Sequence, residues 1–567
     1  MDTASPESRD RLRQSIVNEI SSLVAYIGGL TSYIRGLKSC QNELAPISRL
    51  PCEVLATILS FLPFIAWNEG SDVLTWIYVA HVCRRWRETA LNYPRFWSYI
   101  NLAKLTPVGL TEILSRAKMA PLHLEADSTQ WNPEYLEVFE RQLEAHISHT
   151  RHLEYRFHDL SKVVMRLVSP TPTLEFLSLS YGKSTPSRLT SACYAIPDNL
   201  FNGTAPNLTS LEVEECDISW KSPLLKGLRF LKILYYSVMA RPKLDDWLDA
   251  LKEMSKLEDL SLSLQSATPI ASLADLLISR AVTLPSLIYF RINASAKDCA
   301  LALVHLVLPS LTRLHVYVKS LDPKGEDALL VIPYVVQNVY VLQDIKSIRS
   351  ILIAGKRGST EVLTWTTPSD DVKVCGPDTP DDMTSSACLL FGAKSHEWRE
   401  GVETDVIDAL LTLLPVNSVS TLTTHNCTRL SKEHWLKHAS RFPLLEQACL
   451  IPTAVGGFKE MLAEYTPLDL DGPRLPMLTK LILLDVRLDG MRALHLGDML
   501  IERVEQGVPL EYLDLRTCVA TNRAIQLLAE IVVDVQEPPE KSPMEMGDFL
   551  NWDGYDNEVH FDDRQGS

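Results

Sequence analysis

The sequence lacks the patterns that mark a secreted or membrane-spanning chain. None of its eleven cysteines forms a CxxC pair, and their odd number argues against a disulfide framework. The opening stretch MDTASPESRDRLRQ is polar and charged, so we expect no secretory signal. The longest apolar runs, such as CALALVHLVL at 299–308, are far shorter than the ~18 residues of a membrane span. We therefore expect a cytoplasmic or nuclear protein, or both, with no membrane partner.

Positive charge is also in short supply. The 55 lysines and arginines are outnumbered by 71 aspartates and glutamates, which gives a net charge of −16. A general nucleic-acid binder needs a basic surface for phosphates, so we expect no nucleic-acid partner. Hydrophobic residues make up 46% of the chain and charged residues 22%, as in globular proteins with a large core. The 567 residues can hold several domains, or one repeat array and a small module.

Motifs for catalysis and metal binding are scarce. The chain contains no GxSxG sequence, and YGKSTP at 181–186 has Leu177 where a phosphate-binding loop requires its first glycine. The densest metal-like cluster consists of His425, Cys427, His434 and His438. It has neither paired thiols nor the HExxH pattern, so histidines on the surface or core of a repeat helix explain it better. We expect a non-enzymatic protein with no catalytic residue, no cofactor and no metal.

The first predicted element is one long helix over residues 11–44. Its apolar residues recur in alternating steps of four and three, which is the a/d pattern of a heptad repeat. They are Ile16, Ile20, Leu23, Ile27, Leu30, Ile34 and Leu37. Gly28 and Gly29 weaken the pattern, because each glycine costs about 1 kcal/mol inside a helix. The favoured interpretation is a helix docked on the module that follows, and a self-associating coiled coil is the alternative.

Residues 46–103 are predicted to form a compact helical module. In the stretch ISRLPCEVLATILSFL at 47–62, Pro51 suits the first helical position, where its missing N–H costs nothing. The apolar side chains of this helix follow helical spacing and are Leu50, Val54, Leu55, Ile58, Leu59 and Leu62. A basic amphipathic segment, CRRWRETALNYP at 83–94, forms a later helix, and Trp97 follows it as a bulky anchor.

A repeated motif, L-x-x-L-x-L, dominates the remainder of the chain. Its copies are LEFLSL (174–179), LTSLEV (208–213), LRFLKI (228–233), LEDLSL (257–262), LIYFRI (287–292), LTRLHV (311–316), LTKLIL (478–483) and LEYLDL (510–515). Helix-like stretches such as NRAIQLLAEIVVDV at 522–535 lie between copies, and the motif is weakest over 340–400. Units of this kind stack, because one unit cannot bury its own apolar face. We predict an irregular leucine-rich-repeat solenoid over 104–535 and a disordered acidic tail over 536–567.

The module at 46–103 resembles an F-box. The hallmarks of that family are an LP-x-E start, a V-C-x-x-W-[RK] helix and a later tryptophan, and here they stand as LPCEVLATILSFL, HVCRRWRETA and FW. The step of 35 residues from Pro51 to Trp86 is a few residues longer than usual, and we assign the excess to 63–72. The preceding helix and the C-terminal LDLRTCVATNRAIQLLAEIVVDVQ also resemble large fungal F-box families.

The resemblance implies an α/β protein in which a helical F-box module precedes the solenoid. Its first helix would bind a Skp-family adaptor, and through it a cullin–RING ubiquitin ligase. The predicted adaptor-binding residues are Leu50, Pro51, Val54, Leu55, Ile58, Leu59, Leu62, Val82, Cys83, Trp86 and Trp97. The solenoid would hold a protein substrate whose identity the sequence leaves open. Its substrate-facing residues at the x positions of the motif include Glu212, Glu214, His315, Tyr317, Asp514 and Arg516.

Four other interpretations of the chain remain open at this point. The chain could be an F-box scaffold that directs no ubiquitination. The segment RRWR at 84–87 could belong to a helix-turn-helix that binds DNA, although the net charge of −16 disfavours this. The chain could be an enzyme, although no group of residues in the sequence forms a recognisable catalytic motif. Finally, the apolar face of the helix at 47–62 could pack only against the N-terminal helix and the solenoid.

Overall fold

The computed structural model shows a helical N-terminal region followed by a mixed α/β body. It describes residues 6–69, 75–102, 105–128, 131, 133–157, 163–182, 194–235, 244–264, 280–320, 322–343, 347–356, 358–368, 388–395, 397–425, 430–463, 473–488 and 490–538. The chain divides into two compact units, Met1–Asp259 and Leu260–Ser567. Among the described helices, none is both long enough and apolar enough to span a bilayer.

The first unit begins with helices and continues with alternating strands and helices. Its helices are α1 (Pro6–Glu43), α2 (Cys52–Asn68), α3 (Arg84–Asn92), α4 (Pro107–Ala117), α5 (Pro133–His146), α6 (Val163–Arg166) and α7 (Leu244–Glu253). Its strands are β1 (Tyr99–Asn101), β2 (Leu122–Asp127), β3 (Thr150–Phe157), β4 (Phe176–Tyr181), β5 (Tyr194–Ala195), β6 (Ser210–Glu214), β7 (Cys216–Asp217) and β8 (Phe230–Leu234). Short 3₁₀ segments cover Pro46–Arg49, Thr75–His81 and Pro94–Trp97.

The strands of the first unit form a parallel sheet in chain order. β1, β2, β3, β4, β6 and β8 each pair with the next in parallel register, and β5 pairs with β7. Side chains alternate between a buried face and an open face, as expected for a strand period of two. The module predicted to be all helical therefore ends in a strand, because β1 belongs to this sheet.

The second unit repeats the same alternation of strands and helices. Its helices are α8 (Ala296–His305), α9 (Glu326–Gln343), α10 (Val402–Leu413), α11 (Lys432–Ala439), α12 (Pro452–Ala463), α13 (Gly490–Glu505) and α14 (Asn522–Ala529). Its strands are β9 (Asp259–Ser263, beginning at the last residue of the first unit), β10 (Val282–Thr283), β11 (Tyr289–Ser295), β12 (Leu306–Val307), β13 (Arg313–Lys319), β14 (Ser350–Lys356), β15 (Ser359–Trp365), β16 (Leu389–Lys394), β17 (Thr421–His425), β18 (Gln447–Leu450), β19 (Lys480–Leu483), β20 (Arg487–Leu488), β21 (Tyr512–Asp514), β22 (Val519–Ala520) and β23 (Asp534–Gln536).

An antiparallel meander interrupts the parallel sheet of the second unit. β11, β13 and β16 pair in parallel, and so do β14, β17, β18, β19, β21 and β23. Between them, β14, β15 and β16 are antiparallel, so the spatial order reverses to β13–β16–β15–β14–β17. The repeat motif is weakest in this part of the sequence. Antiparallel strands can be connected without a crossover helix, so a meander does not require the regular strand–helix repeat.

The repeated motif predicts strands and buried positions correctly. All eight copies contain a strand, and all their apolar motif positions are buried, from Leu174 to Leu515. The helix expected at 522–535 is shorter, since α14 ends at Ala529 and β23 follows it. That strand also includes Gln536, the first residue of the predicted tail. Residues 539–567 of the tail lie outside the described residues.

The N-terminal helix is present but does not dock on the following module. α1 covers Pro6–Glu43, close to the predicted range. Every described side chain from Glu7 to Leu44 is exposed, including all seven apolar heptad positions. The favoured interpretation of a docked helix is therefore wrong, because the seven heptad side chains lie exposed instead of packing on the described residues of the module.

Two adjacent glycines of α12 provide a matched test of the packing in the second unit. A Cβ at Gly457 would meet the carbonyl oxygen of Leu430 and lie 2.6 Å from the carbonyl carbon of Ser431, whereas one at Gly456 would meet nothing within 4 Å. We expect Gly457→Ala to lower the free energy of unfolding by about 2 kcal/mol or more. Gly456→Ala should raise it by up to about 1 kcal/mol, since alanine favours helix.

Thermal unfolding followed by circular dichroism measures both variants. Equal melting temperatures for Gly456→Ala and Gly457→Ala would contradict the close approach of α12 to the start of α11.

Candidate functional site

One side of α2 forms the core of the helical module. Leu55 and Leu59 are fully buried on it. Trp76, Phe96 and Trp97 pack beside them with edge-to-face ring separations of 4.8–5.5 Å. The indole N–H of Trp97 donates to the Ala90 carbonyl at 2.8 Å, which satisfies its polar atom inside the core. Three predicted adaptor-binding residues, Leu55, Leu59 and Trp97, therefore have core side chains.

The other side of α2 carries an apolar stripe that faces solvent. It consists of Pro51, Val54, Ile58, Phe61 and Ile65, which we call the α2 stripe. The last four side chains are 44%, 44%, 57% and 45% exposed. Steps of three and four residues place them along one line of the helix, about 20 Å long. Isolated apolar residues are common on protein surfaces, whereas contiguous exposed apolar patches are characteristic of interaction surfaces.

Two members of the α2 stripe, Phe61 and Ile65, were not predicted from the sequence. The prediction placed the adjacent pairs of apolar residues in this helix on a single face, although one member of each pair is buried and the other exposed. The 3-4-3-4 spacing that starts at Pro51 continues through both residues, but spacing does not specify which line of the helix is buried.

The remaining predicted residues lie at the margins of the module surface. Leu50 and Leu62 are half-buried, and so are Cys83 and Trp86, whereas Val82 is 57% exposed. Cys83 occupies the N-cap of α3. These residues flank the module core rather than forming one continuous exposed face.

Arginines of α3 bind backbone carbonyls of the helical module, and Arg85 binds those around the start of α2. The helix begins at Cys52 with Pro51 as its N-cap, one residue later than predicted. The Arg85 guanidinium donates to the carbonyls of Ser48 and Leu50, which precede that cap. Arg87 donates through Nε to the Ala80 carbonyl at 3.0 Å. These two arginines therefore bind backbone carbonyls of their own module, which weakens the interpretation of RRWR as a contact for DNA phosphates.

The C-terminal end of α2 packs on the open face of the sheet. Tyr99, His123, His152 and Phe176 occupy facing positions of β1 to β4, and we call them the aromatic row. Successive rings of the row stack at centroid separations of 4.3, 5.8 and 4.1 Å. Trp67 meets His152 edge-on at 5.5 Å, and Phe64 meets Tyr99 at 5.7 Å. The alternative that the apolar face of this helix only packs against the rest of its own chain therefore applies to this end of α2. It does not apply to the α2 stripe, which is exposed.

Burial keeps the two imidazoles of the aromatic row neutral. It lowers the pKa of His123 to about 4, with further lowering by His152 whenever that ring is protonated and by the positive charge of Arg151. Burial likewise lowers the pKa of His152 to about 4. Neutral rings stack without mutual repulsion, so the row is stable at neutral pH and weakened by acid.

Two histidines of the metal-like cluster, His434 and His438, have structural partners. His438 shares a hydrogen bond of 2.9 Å with the Asp408 carboxylate, and His434 completes a capping box with Ser431 at the start of α11. Cys427 lies outside the described residues. Within the part of the chain that the structure describes, no three such side chains are grouped to hold a metal ion.

The predicted substrate-facing residues differ in their exposure. Glu212 and Glu214 lie on the open face of the first sheet, where Glu212 pairs with Lys232 at 3.2 Å. His315 and Asp514 are buried, although they occupy the same kind of motif position. His315 bonds the Tyr289 hydroxyl at 2.9 Å, and the Asp514 carboxylate accepts from the Arg516 guanidinium at 2.7 Å. Buried side chains that already have partners contribute little to a binding surface.

The family comparison identifies the module that carries the α2 stripe. Residues 47–103 match the family model described as F-box-like. This region is an F-box-like domain. The match agrees with the predicted range of 46–103 and covers about a tenth of the chain.

The other comparisons are less informative. No curated protein matches the chain. Among solved structures, one described as "Crystal structure of Rad7 and Elc1 complex in yeast" contains a chain that is 13% identical, with 87% of this chain and 94% of that chain covered. The TM-score of that comparison is 0.25, which supports no conclusion about fold or function.

Acid should destabilise the first unit through the aromatic row. The folded pKa of about 4 for His123 and His152 lies below the ordinary 6.5, so unfolded histidines bind protons that the folded row does not. The contribution of the neutral histidines to the free energy of unfolding is therefore complete above pH 6.5 and is lost as the pH falls towards 4. We expect His152→Phe to remove about 2 kcal/mol of this pH dependence, a value discounted for partial exposure.

Urea unfolding of the full chain at pH 4.5, 5.5 and 7 measures this dependence. The variant His495→Phe, at an exposed position of α13, is the control and should keep the wild-type dependence. A His152→Phe protein with an unchanged pH profile would contradict the role of the row.

Proposed function

We propose that the chain is a non-catalytic substrate-recognition subunit of an SCF-type (Skp–cullin–F-box) ubiquitin ligase. The F-box-like domain binds a Skp-family adaptor, the adaptor joins a cullin–RING ligase, and the α/β body holds a protein substrate. The observation that carries this proposal is the α2 stripe, an exposed apolar line on the first helix of an F-box-like domain. We propose the cytoplasm or nucleus as its location, consistent with free cysteines.

The α2 stripe has the form of one half of a helix-in-groove contact. In such contacts, apolar side chains three or four residues apart fill pockets of the partner's groove. Val54, Ile58 and Phe61 are about half exposed and lie in the first ten residues of the helix, so they are the proposed anchors. The two ends of α2 are held by Arg85 and by the aromatic row, so the helix is ordered before its partner arrives. Preordering reduces the entropy lost on binding.

We propose that the α/β body is an irregular leucine-rich-repeat solenoid, of the kind found in fungal F-box families. Two features support this: the strands pair in parallel and largely in chain order, and the motif leucines are buried without exception. The meander of β14, β15 and β16 is the departure from a regular array. A solenoid offers an extended open face on which substrate can be held.

A receptor of this kind accelerates ubiquitin transfer without making a covalent bond. It raises the effective concentration of a substrate lysine beside the ubiquitin carrier bound to the same ligase. The alternative, a scaffold that binds the adaptor but directs no ubiquitination, uses the same α2 stripe. The two functions differ only in what happens to the protein bound by the body.

Ile58→Glu should abolish adaptor binding and leave the chain folded. The side chain is 44% exposed, so the folded monomer tolerates a charge there, whereas a groove would strand that charge without a partner. We expect affinity to fall at least about thirtyfold. Co-purification with a Skp-family adaptor measures the loss, and circular dichroism confirms the fold.

Thr57→Glu is the matched control, because it adds the same charge at an exposed position of α2 beside the stripe. It should bind adaptor as wild type does. Normal binding by Ile58→Glu would show that the stripe is not the contact, and a wild-type chain that binds no adaptor would refute the proposed function.

Quantitative proteomics in cells distinguishes the receptor from the scaffold. Cells that carry Ile58→Glu in place of the wild type should accumulate specific proteins, and these should bind the wild-type chain when the proteasome is inhibited. Adaptor binding without any stabilised protein would favour the scaffold.

A further inference from the structure

The exposed heptad side chains of α1 are not explained by adaptor or substrate binding. We propose that α1 pairs with α1 of a second copy of this chain as a parallel two-stranded coiled coil. This surface is distinct from the α2 stripe, so the proposal does not depend on the proposed function.

An apolar line of three heptads runs along α1 in contact with solvent. Its members, which we call the α1 seam, are Ile16, Ile20, Leu23, Ile27, Leu30, Ile34 and Leu37. Their exposed fractions range from 44% for Leu30 to 60% for Ile27. Most of the stability of helices in proteins comes from packing of an apolar face, and the seam of the 38-residue α1 does not pack on the described residues of its own chain.

The residue types along the seam favour two parallel strands. With Ile20 at an a position, Ile27 and Ile34 also fall at a, and leucines fill the d positions from Leu23 onwards. β-Branched residues at a with leucine at d select a parallel dimer over trimers and tetramers. Ile16, at the first d position, is the one exception. This pattern is self-complementary, because each layer pairs a residue with its own copy.

The glycines of α1 lie away from the seam. Gly28 occupies a b position, and Gly29 and Gly36 occupy c positions, on the outer side of such a dimer. A Cβ at any of the three would meet nothing within 4 Å. The glycines therefore lower helix propensity but leave every a and d layer filled.

The flanks of the seam are apolar as well. Val17 and Val24 occupy e positions, and Tyr26 and Tyr33 occupy g positions, all of them exposed. These side chains widen the area that pairing removes from water. Because few charges flank the seam, pairing brings little repulsion between the two copies.

Polar residues limit the seam at both ends and favour a single register. Arg13 and Gln41 occupy the a positions before Ile20 and after Ile34. A shift of one copy by a heptad would place Arg13 of one copy opposite Ile20 of the other, and Gln41 opposite Ile34. The in-register dimer avoids both costs.

The mass of the full chain in solution tests the proposal. One chain has a mass of 63.7 kDa, and sedimentation equilibrium should give twice that value for the wild type. Ile27→Glu places two glutamates in one buried layer, so we expect the dimer dissociation constant to rise at least about a hundredfold. Ala25→Glu adds the same charge to the same helix at an f position and should leave the dimer intact.

Crosslinking tests the parallel arrangement. In a background of Cys40→Ser and Cys52→Ser, which removes two exposed thiols, Leu37→Cys should form an interchain disulfide on mild oxidation. In an antiparallel pair the two copies of residue 37 lie at opposite ends. The proposal would be overturned if the wild type were a monomer or had the mass of three or four chains. It would also be overturned if Ile27→Glu stayed dimeric, if Ala25→Glu dissociated as much as Ile27→Glu, or if no crosslink formed.

Discussion

The packing of α2 on the aromatic row determines how the F-box-like domain is presented. Phe64 and Trp67 lie against rings from β1, β2 and β3, so the helix cannot rotate without separating them. With its C-terminal end held and its core face buried on Leu55 and Leu59, α2 has one side left for solvent. The α2 stripe is that side. The row depends in turn on imidazoles that stay neutral because they are buried.

The N-terminal end of α2 is held by different chemistry. There Arg85 donates to two backbone carbonyls, a contact that positions the chain without covering any side chain. Its neighbour Arg87 binds a third carbonyl, so the basic segment serves the module's own backbone. The net charge of −16 and these contacts together argue against a phosphate-binding role for α3.

Spacing alone predicted eight of the strands of the body and the existence of α1 and α2. The motif L-x-x-L-x-L encodes strand and burial locally, so its eight copies needed no knowledge of neighbours. The division of α2 into two faces was not predictable in this way, because Val54 and Leu55 are both apolar and only tertiary packing decides which is buried. The same limit applies to α1, because its heptad pattern predicts a face that packs but does not specify what that face packs against. The aromatic row consists of residues from four separate strands. It could not be predicted, because no local pattern in the sequence specifies the register in which those strands pair.

The short connection between α1 and α2 has a consequence for valency. Only residues 44–51 separate the two helices, and they span at most about 28 Å when fully extended. If α1 pairs as proposed, two F-box-like domains stay close together on one assembly. If the body also holds a substrate as proposed, a substrate with two recognition segments would rebind before it escapes, so its residence time would exceed that on a single chain through avidity alone.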